Sequence, residues 1–381
     1  MLDEPYRARM RRFPWSVLAI GLALMLVGWS AIARADELAD AARPLLPRQI
    51  VWSVLAMVAM VALSLPNHRQ LQRLSLPAYA AAVLLLLAVY LFPPINGSHR
   101  WIRVAGFSLQ PSELAKVAFV LMLARCLMYR DNLRGARGLL APLILALIPT
   151  LLILKEPDLG TALVFLPVCF VMLFVAGARW ADLSKIAACG LLAALPLWTQ
   201  LSAEQKSRVT ALFEQSAPHA RPIDDGYHLH QSKQMFALGG IWGSALAGDA
   251  VDDPAAYHLP EAHGDFIFSV IGERYGWWGA AGLLALVLLL AWRGLAIARR
   301  TIDPFGRLVA VGVVALFVLQ TLINTGMAVG LLPVTGMSLP LVSYGGSGLL
   351  AHAAALGLLL NIGMRPGYEM AGGFEARRRR R

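Results

Sequence analysis

Ten stretches of this chain are apolar over nearly the length of a bilayer crossing, a pattern that water-soluble folds do not tolerate. A helix needs roughly 20 apolar residues to traverse a hydrocarbon core. Runs approaching that length occupy residues 14–33, 50–65, 76–92, 114–129, 138–154, 159–177, 186–200, 277–298, 308–329 and 347–364. Several are short, notably 186–200, which also contains Pro196. Of the 381 residues 58% are hydrophobic and only 15% charged, whereas soluble domains carry roughly 25% charged residues. Lipid therefore takes the place of the missing polar surface. The abundance of apolar residues excludes disorder, and three cysteines cannot build a disulfide scaffold. The expected fold is an all-α polytopic bundle of about ten transmembrane helices.

The basic residues set its orientation. Arg7, Arg9, Arg11 and Arg12, then Arg69 and Arg73, Arg125 to Arg137, Arg179 and Lys185, Arg293 to Arg307, and Arg365 with Arg377 to Arg381 fall in alternate loops on one side, the cytoplasmic one. Both termini are expected there. Lys206, Arg208, Arg221, Lys233 and Arg274 lie on the other side, in or just after a loop too long to count. The net charge of +11 thus reads as a topology signal and an attraction to anionic cytoplasmic lipid, and nucleic acid is not needed to explain it. The first run follows Arg11 and Arg12 as a signal peptide would, yet it exceeds the roughly 7–15 residues of a signal core, so a retained anchor is expected. This divides the chain into a basic N-terminus (1–13), one transmembrane domain (14–365) and an Arg-rich tail (366–381).

Polar residues cluster at the outer ends of the spans, where a membrane protein displays its chemistry. In 93–116, Asn96-Gly97 and Pro111-Ser112 are turn signals, and Ser112 suits a helix N-cap. Glu113 and Lys116 share one helical face; by themselves they read as a local ion pair. Asp158, after Pro157, stands where a helix N-terminus stabilises negative charge, so capping is its simplest role. The long loop 201–264 exceeds any plain connection. Within it 203–214 suits an interfacial helix, and five of the eight histidines lie there: His219, His228, His230, His258 and His263. His228 and His230 are two apart, which suits a strand and not one helical face, and no cysteine accompanies them, so zinc is not expected. Asp265, flanked by Glu261 and His263, precedes an apolar run. It could cap that helix, act as a general base, or ligate a divalent cation such as Mg²⁺ or Mn²⁺ that holds a pyrophosphate.

The uncharged loop 330–347 carries Gly330, Gly336, Gly345, Gly346, Pro333 and Pro340. Irregular apolar backbone at a membrane must be buried in protein or line a cavity, which suggests a re-entrant loop. Its N–H groups, with Ser343 and Ser347, could bind an anion. Asn324 and His352 read as interhelical hydrogen-bond formers.

Taken together, Asn96-Gly97 with Arg100-Trp101-Ile102, Gln110-Pro111-Ser112-Glu113 with Lys116, Pro157-Asp158-Leu159-Gly160-Thr161, Gln231-Ser232, Leu259-Pro260-Glu261-Ala262-His263 with Asp265-Phe266-Ile267-Phe268, and Leu339-Pro340-Leu341-Val342-Ser343-Tyr344-Gly345-Gly346-Ser347 resemble the SEDS family, the RodA/FtsW/SpoVE group. The resemblance runs from about residue 14 to 365. It implies a ten-helix bundle in the bacterial cytoplasmic membrane with peptidoglycan glycosyltransferase activity: polymerisation of lipid II, an undecaprenyl-pyrophosphate-linked disaccharide pentapeptide, at the outer face. By the same resemblance Asp265 matches the family's essential carboxylate, and Glu113, Lys116 and Asp158 match other polar cavity residues. Lys116 and Arg100 are then expected near the pyrophosphate. A class B penicillin-binding protein, a transpeptidase, is the implied partner. Gly264, Arg274 and Gly348 depart from the usual threonine, glutamate and serine. Elongation and division roles share these blocks. A lipid-linked precursor flippase and a non-catalytic scaffold for the transpeptidase are the competing readings; against transport, no inner vestibule or pair of broken midplane helices is evident.

Overall fold

The computed structural model describes residues 12–39, 43–94, 98–104, 107–129, 135–214, 225–251 and 257–366. The basic N-terminus up to residue 11, the Asn96-Gly97 turn, His219 and the Arg377 to Arg381 run lie outside the described residues. In chain order the helices are α1 (Trp15–Leu38), α2 (Leu46–Ser64), α3 (His68–Ala88), α4 (Pro111–Leu127), α5 (Ala136–Lys155), α6 (Leu159–Val175), α7 (Trp180–Gln200), α8 (Ala203–Glu214), α9 (Asp225–Leu238), α10 (Ser244–Ala247), α11 (Ile267–Arg300), α12 (Pro304–Ala328) and α13 (Gly346–Met364).

Each of the ten apolar runs falls on its own helix. By length and composition, seven of these could cross a membrane among the described residues: α1, α2, α3 with its 3₁₀ extension to Leu91, α5, α11, α12 and α13. The other three are not among them; α4 and α6 have 17 residues each. Val51, Val54, Val58 and Val61 form a helically spaced stripe on α2, each more than half exposed. Such a stripe has no place in water and suits hydrocarbon. Helices α12 and α13 carry few exposed residues and form the centre, with α12 packed on α11, α6, α4 and α13.

Local chemistry sets the helix ends. Asn67 and Gln70 form a reciprocal capping box at the start of α3. Asp303 caps α12 by accepting from Gly306 N at 3.0 Å, and its Oδ2 also lies 3.0 Å from Nδ1 of buried His68. The last carbonyls of α2 and its exit turn receive Asn361 and Arg365 from α13: Asn361 donates to Leu63, Ser64 and Pro66, Arg365 to Ser64 and Leu65. Higher along the same interface a Cβ on Gly357 would lie 2.3 Å from Met60 O and 3.0 Å from Leu63 Cβ. Gly357→Val is expected to force α13 off α2 and cost about 2 kcal/mol or more, readable as a lower melting temperature of the detergent-purified protein.

Several boundaries differ from expectation. Helix α11 begins at Ile267, ten residues before the anticipated 277, and the anticipated start marks a break: Gly276 has φ 64 and ψ −161 inside the helix. A left-handed φ favours glycine, and the N–H of Trp277 at the break donates to Gly240 O at 3.0 Å. The stretch 226–248, expected as loop, contains helix α9; two residues apart on a helix, His228 and His230 point away from each other. Residues 203–214 form the expected helix, α8. An unanticipated antiparallel pair, β1 (Ile102–Val104) with β2 (Phe107–Leu109), matches Arg103 with Ser108.

Candidate active site

A cavity of about 940 Å³ opens where five helices begin. Leu45 and Arg48 bring in the start of α2, Gln110 and Glu113 that of α4, Asp158 and Thr161 that of α6, Asp265 the turn before α11, and Gly345 to Ser347 the start of α13. Each helix N-terminus carries a partial positive charge, although some of the N–H groups are already taken, Leu45 N and Leu46 N by Asp36, Thr161 N by Asp158 and Gly345 N by Gln49. Five of them converging on one space favour a polyanion. Arg48, Arg100, Arg103 and Arg208 add formal charge to the same walls.

Asp265 does not cap its helix: Phe266 holds the N-cap position of α11, with no side-chain cap bond. Its backbone is held on three sides. Asn324 of α12 donates from Nδ2 to Asp265 O at 2.7 Å and to Met337 O at 2.6 Å. Ser343 Oγ donates to Gly264 O at 2.6 Å while accepting from Leu339 N at 2.7 Å. Tyr344 N donates to His263 O at 2.8 Å. The Gly- and Pro-rich segment therefore supports the Asp265 turn and is itself buried at Val334, Met337, Leu339, Leu341 and Val342. Asn324 pins two loops instead of two helices, and the Ser343 hydroxyl, expected to bind an anion, is spent on this support. His352 Nε2 and Gln320 Oε1 lie 3.0 Å apart between α13 and α12.

The remaining expected residues occupy distinct places. Asp158 caps α6, accepting from Thr161 N at 3.1 Å, and its other oxygen faces Gln110. Arg100 donates from Nε to Glu156 O at 3.1 Å and also reaches Pro157 O, bracing the Asp158 turn while lining the cavity. Glu113 and Lys116 pair at 2.8 Å, both buried. Lys116, expected in the cavity, lies behind its wall in a small space shared with Gln320 and His352. Ser112, expected as an N-cap, is the second residue of α4, whose N-cap position is held by Gln110 without a side-chain cap bond. Glu113 Oε2 and the Ser347 hydroxyl are buried without a hydrogen-bond partner among the described residues, and both residues line the cavity. Polar atoms left so are held for a ligand or water.

A Cβ built on Gly348 would sit 3.6 Å from Glu113 Oε2. A serine there would thus approach the unpartnered oxygen. Gly348→Ser is expected to raise thermal stability by about 1 kcal/mol, as a higher melting temperature. Gly264, by contrast, meets only Glu261 O at 3.9 Å, so a threonine would fit.

Withdrawal from water raises the Asp265 carboxyl to about 7; Glu261 and Asp158 push the same way, and Arg208 and Arg100 oppose them. Glu156, just behind Asp158, is pushed up to about 8 by burial and by Asp158, so it stays largely neutral at pH 7. Among the described residues no three His, Cys, Asp or Glu side chains converge as a metal-binding group. Asp265, Glu261 and Asp158 face one cavity separately, a donor set that does not fit a cation enclosed by protein ligands; the positive charge shown here is that of arginines and helix ends.

Sequence reasoning missed Arg48, Arg103 and Arg208 as wall residues. A signal existed for the first two, arginines in short loops on the side that the topology otherwise depletes of them.

A bundle with lipid-suited outer faces, and a polar cavity where its helices begin, is an integral membrane protein able to hold an anionic ligand beside the apolar phase. The family described as "Cell cycle protein", FtsW/RodA/SpoVE, matches residues 10–366, and the chain belongs to this SEDS family. It is 34% identical to "Probable peptidoglycan glycosyltransferase FtsW" of Trichlorobacter lovleyi over 95% of each chain. In structure it is similar to a chain of a peptidoglycan synthase complex that coordinates polymerization and crosslinking (TM-score 0.79, 32% identity, 94% of this chain and 99% of that one). It is also similar to the rod shape determining protein RodA of Thermus thermophilus (TM-score 0.68, 31% identity, 94% and 98%).

Proposed function

We propose that the chain is a peptidoglycan glycosyltransferase that polymerises lipid II at the outer face of the bacterial cytoplasmic membrane, in a single ten-span domain over 14–365 with both termini cytoplasmic. The observation that carries this reading is the cavity itself: an uncommitted carboxylate, Asp265, faces a space where five helix N-termini and four arginines favour a pyrophosphate. The alternation of basic loops supports the orientation.

In this reaction the 4-hydroxyl of one lipid II attacks the anomeric carbon of the growing chain with inversion. The new C–O bond forms as the bond to the pyrophosphate lipid breaks, and the electron pair leaves with the phosphate. Asp265 takes the hydroxyl proton, a task suited to a carboxyl near 7. Arg48, Arg100, Arg103 and Arg208 neutralise the pyrophosphate charge. Glu113 Oε2 and Ser347 bind sugar or peptide groups; Lys116 pairs with the other oxygen of Glu113. A class B penicillin-binding protein is the partner that crosslinks the product.

Labelled lipid II incubated with the purified protein, with and without its transpeptidase and a divalent cation, is expected to give glycan ladders. Movement of the lipid across a bilayer without ladders would replace this reading with a flippase. Depletion separates the cellular roles, round cells marking elongation and filaments marking division. The base needs Asp265 deprotonated, so the rate should rise through an apparent pKa near 7. Glu261→Gln removes a charge that raises it and should move that limb to lower pH; Arg208→Gln should move it higher. A pH–rate profile for the three proteins checks both signs.

A further inference from the structure

The turn bearing Asp265 is anchored on both flanks by one helix end whose ionic residues do not reach the cavity. On the C-terminal flank, Arg34 of α1 donates from Nη2 to Glu273 Oε1 at 2.7 Å and from Nε to Glu273 Oε2 at 3.1 Å, a two-point pair of buried side chains. The same guanidinium also reaches Asp249. On the N-terminal flank, Asp36 Oδ1 lies 3.2 Å from His263 Nε2, while its Oδ2 accepts from Leu45 N at 2.9 Å and Leu46 N at 3.1 Å. A carboxylate accepting those backbone donors is an acceptor only, so His263 donates from Nε2.

Helix α1 is a firm base for these ties. A Cβ on Gly28 would lie 2.4 Å from Val342 O, so α1 is already in backbone contact with the segment that supports Asp265. Asp36 also fixes the start of α2. One turn on, Gln49 donates to Ser343 O at 3.2 Å and accepts from Gly345 N at 3.3 Å. Arg34, Asp36 and Glu273 are absent from the cavity wall, so they can influence chemistry only through the residues they hold.

We propose that Arg34 and Asp36, at the cavity end of α1, are positioning residues for polymerisation, clamping the chain on either side of Asp265 so that its carboxylate is held toward the bound substrate. The proposal rests on the glycosyltransferase reading for its catalytic consequence. Its structural content, a clamped 263–273 segment, stands apart from that reading and is measured separately.

The test uses the full chain in lipid nanodiscs, with kcat and KM for labelled lipid II, melting temperature, and hydrogen exchange of peptides covering 261–273. Asp36→Ala and His263→Ala are each expected to lower kcat by about 10- to 100-fold with KM within about threefold, and to speed exchange at 261–268. The double variant should be no worse than the worse single, because both remove one tie. His263→Gln keeps a nitrogen donor where Nε2 stood and should recover most of kcat, which a general packing defect would not allow. Arg34→Met should speed exchange on the Glu273 side.

Full kcat in Asp36→Ala and His263→Ala, or losses that multiply in the double variant, would overturn the clamp. So would a His263→Gln protein as slow as His263→Ala, which would make the imidazole a proton carrier. If the unaltered protein forms no glycan, the glycosyltransferase reading fails; exchange then decides the clamp, faster in Asp36→Ala supporting it and unchanged overturning it.

Discussion

Purified Asp265→Asn protein is expected to give no visible glycan ladder from labelled lipid II, with turnover down by about 10³-fold, the range typical for removing a general base. Asparagine keeps the shape and the backbone contacts: Asn324 donates to the Asp265 carbonyl, and the flanking bonds use Gly264 and His263 carbonyls, none of them the carboxylate. The fold and the arginine-lined pocket should therefore persist, with a melting temperature near that of the unaltered protein and lipid II still bound. Loss of turnover with retained binding is the signature of a group acting in the transition state. Turnover within tenfold of the unaltered protein would remove Asp265 from the role of base.

The second large effect is on folding. Lys116→Met leaves the Glu113 carboxylate buried without the 2.8 Å partner that offsets its charge, and removing one member of a buried pair costs about 3–5 kcal/mol. A strongly lowered melting temperature or failure to accumulate is expected. Adding Glu113→Gln removes the stranded charge and should restore most of the stability, since a neutral pair of similar volume is close to neutral for folding. Polymerisation should not return with it, because the double variant still lacks the Glu113 carboxylate whose free Oε2 lies at the cavity. A double variant both stable and fully active would reduce the pair to a charge-neutral packing element.

Both experiments concern residues that stand out in the sequence, though for different reasons from those the structure supplies. Asp265 and Asp158 look alike along the chain, each an aspartate just before an apolar run. Only the fold separates them: Asp158 is consumed by the Thr161 N–H of α6, whereas Phe266 takes the capping position of α11 and leaves Asp265 free. Glu113 and Lys116 are legible as an i, i+3 pair, but not that the lysine lies behind the cavity wall. Ser343 reads as an anion ligand and is in fact a support for the Gly264 carbonyl. Arg34, Asp36 and Gln49 carry no local motif at all; each gains meaning from a partner more than two hundred residues away.

What the sequence by itself determined was the class of protein, the long apolar helices and the blocks of the family. These are local or additive properties: apolar length, charge per loop, and short ordered motifs can be read one window at a time. What only the tertiary structure decided was which polar atoms are spent and which are left over. That depends on pairings between α1 and the 263–273 segment, between α12 and the Gly-rich loop, and on the convergence of five helix starts. Hydrogen bonds at these points are exclusive, so a side chain's availability for chemistry is fixed by what else the fold brings within 3 Å of it.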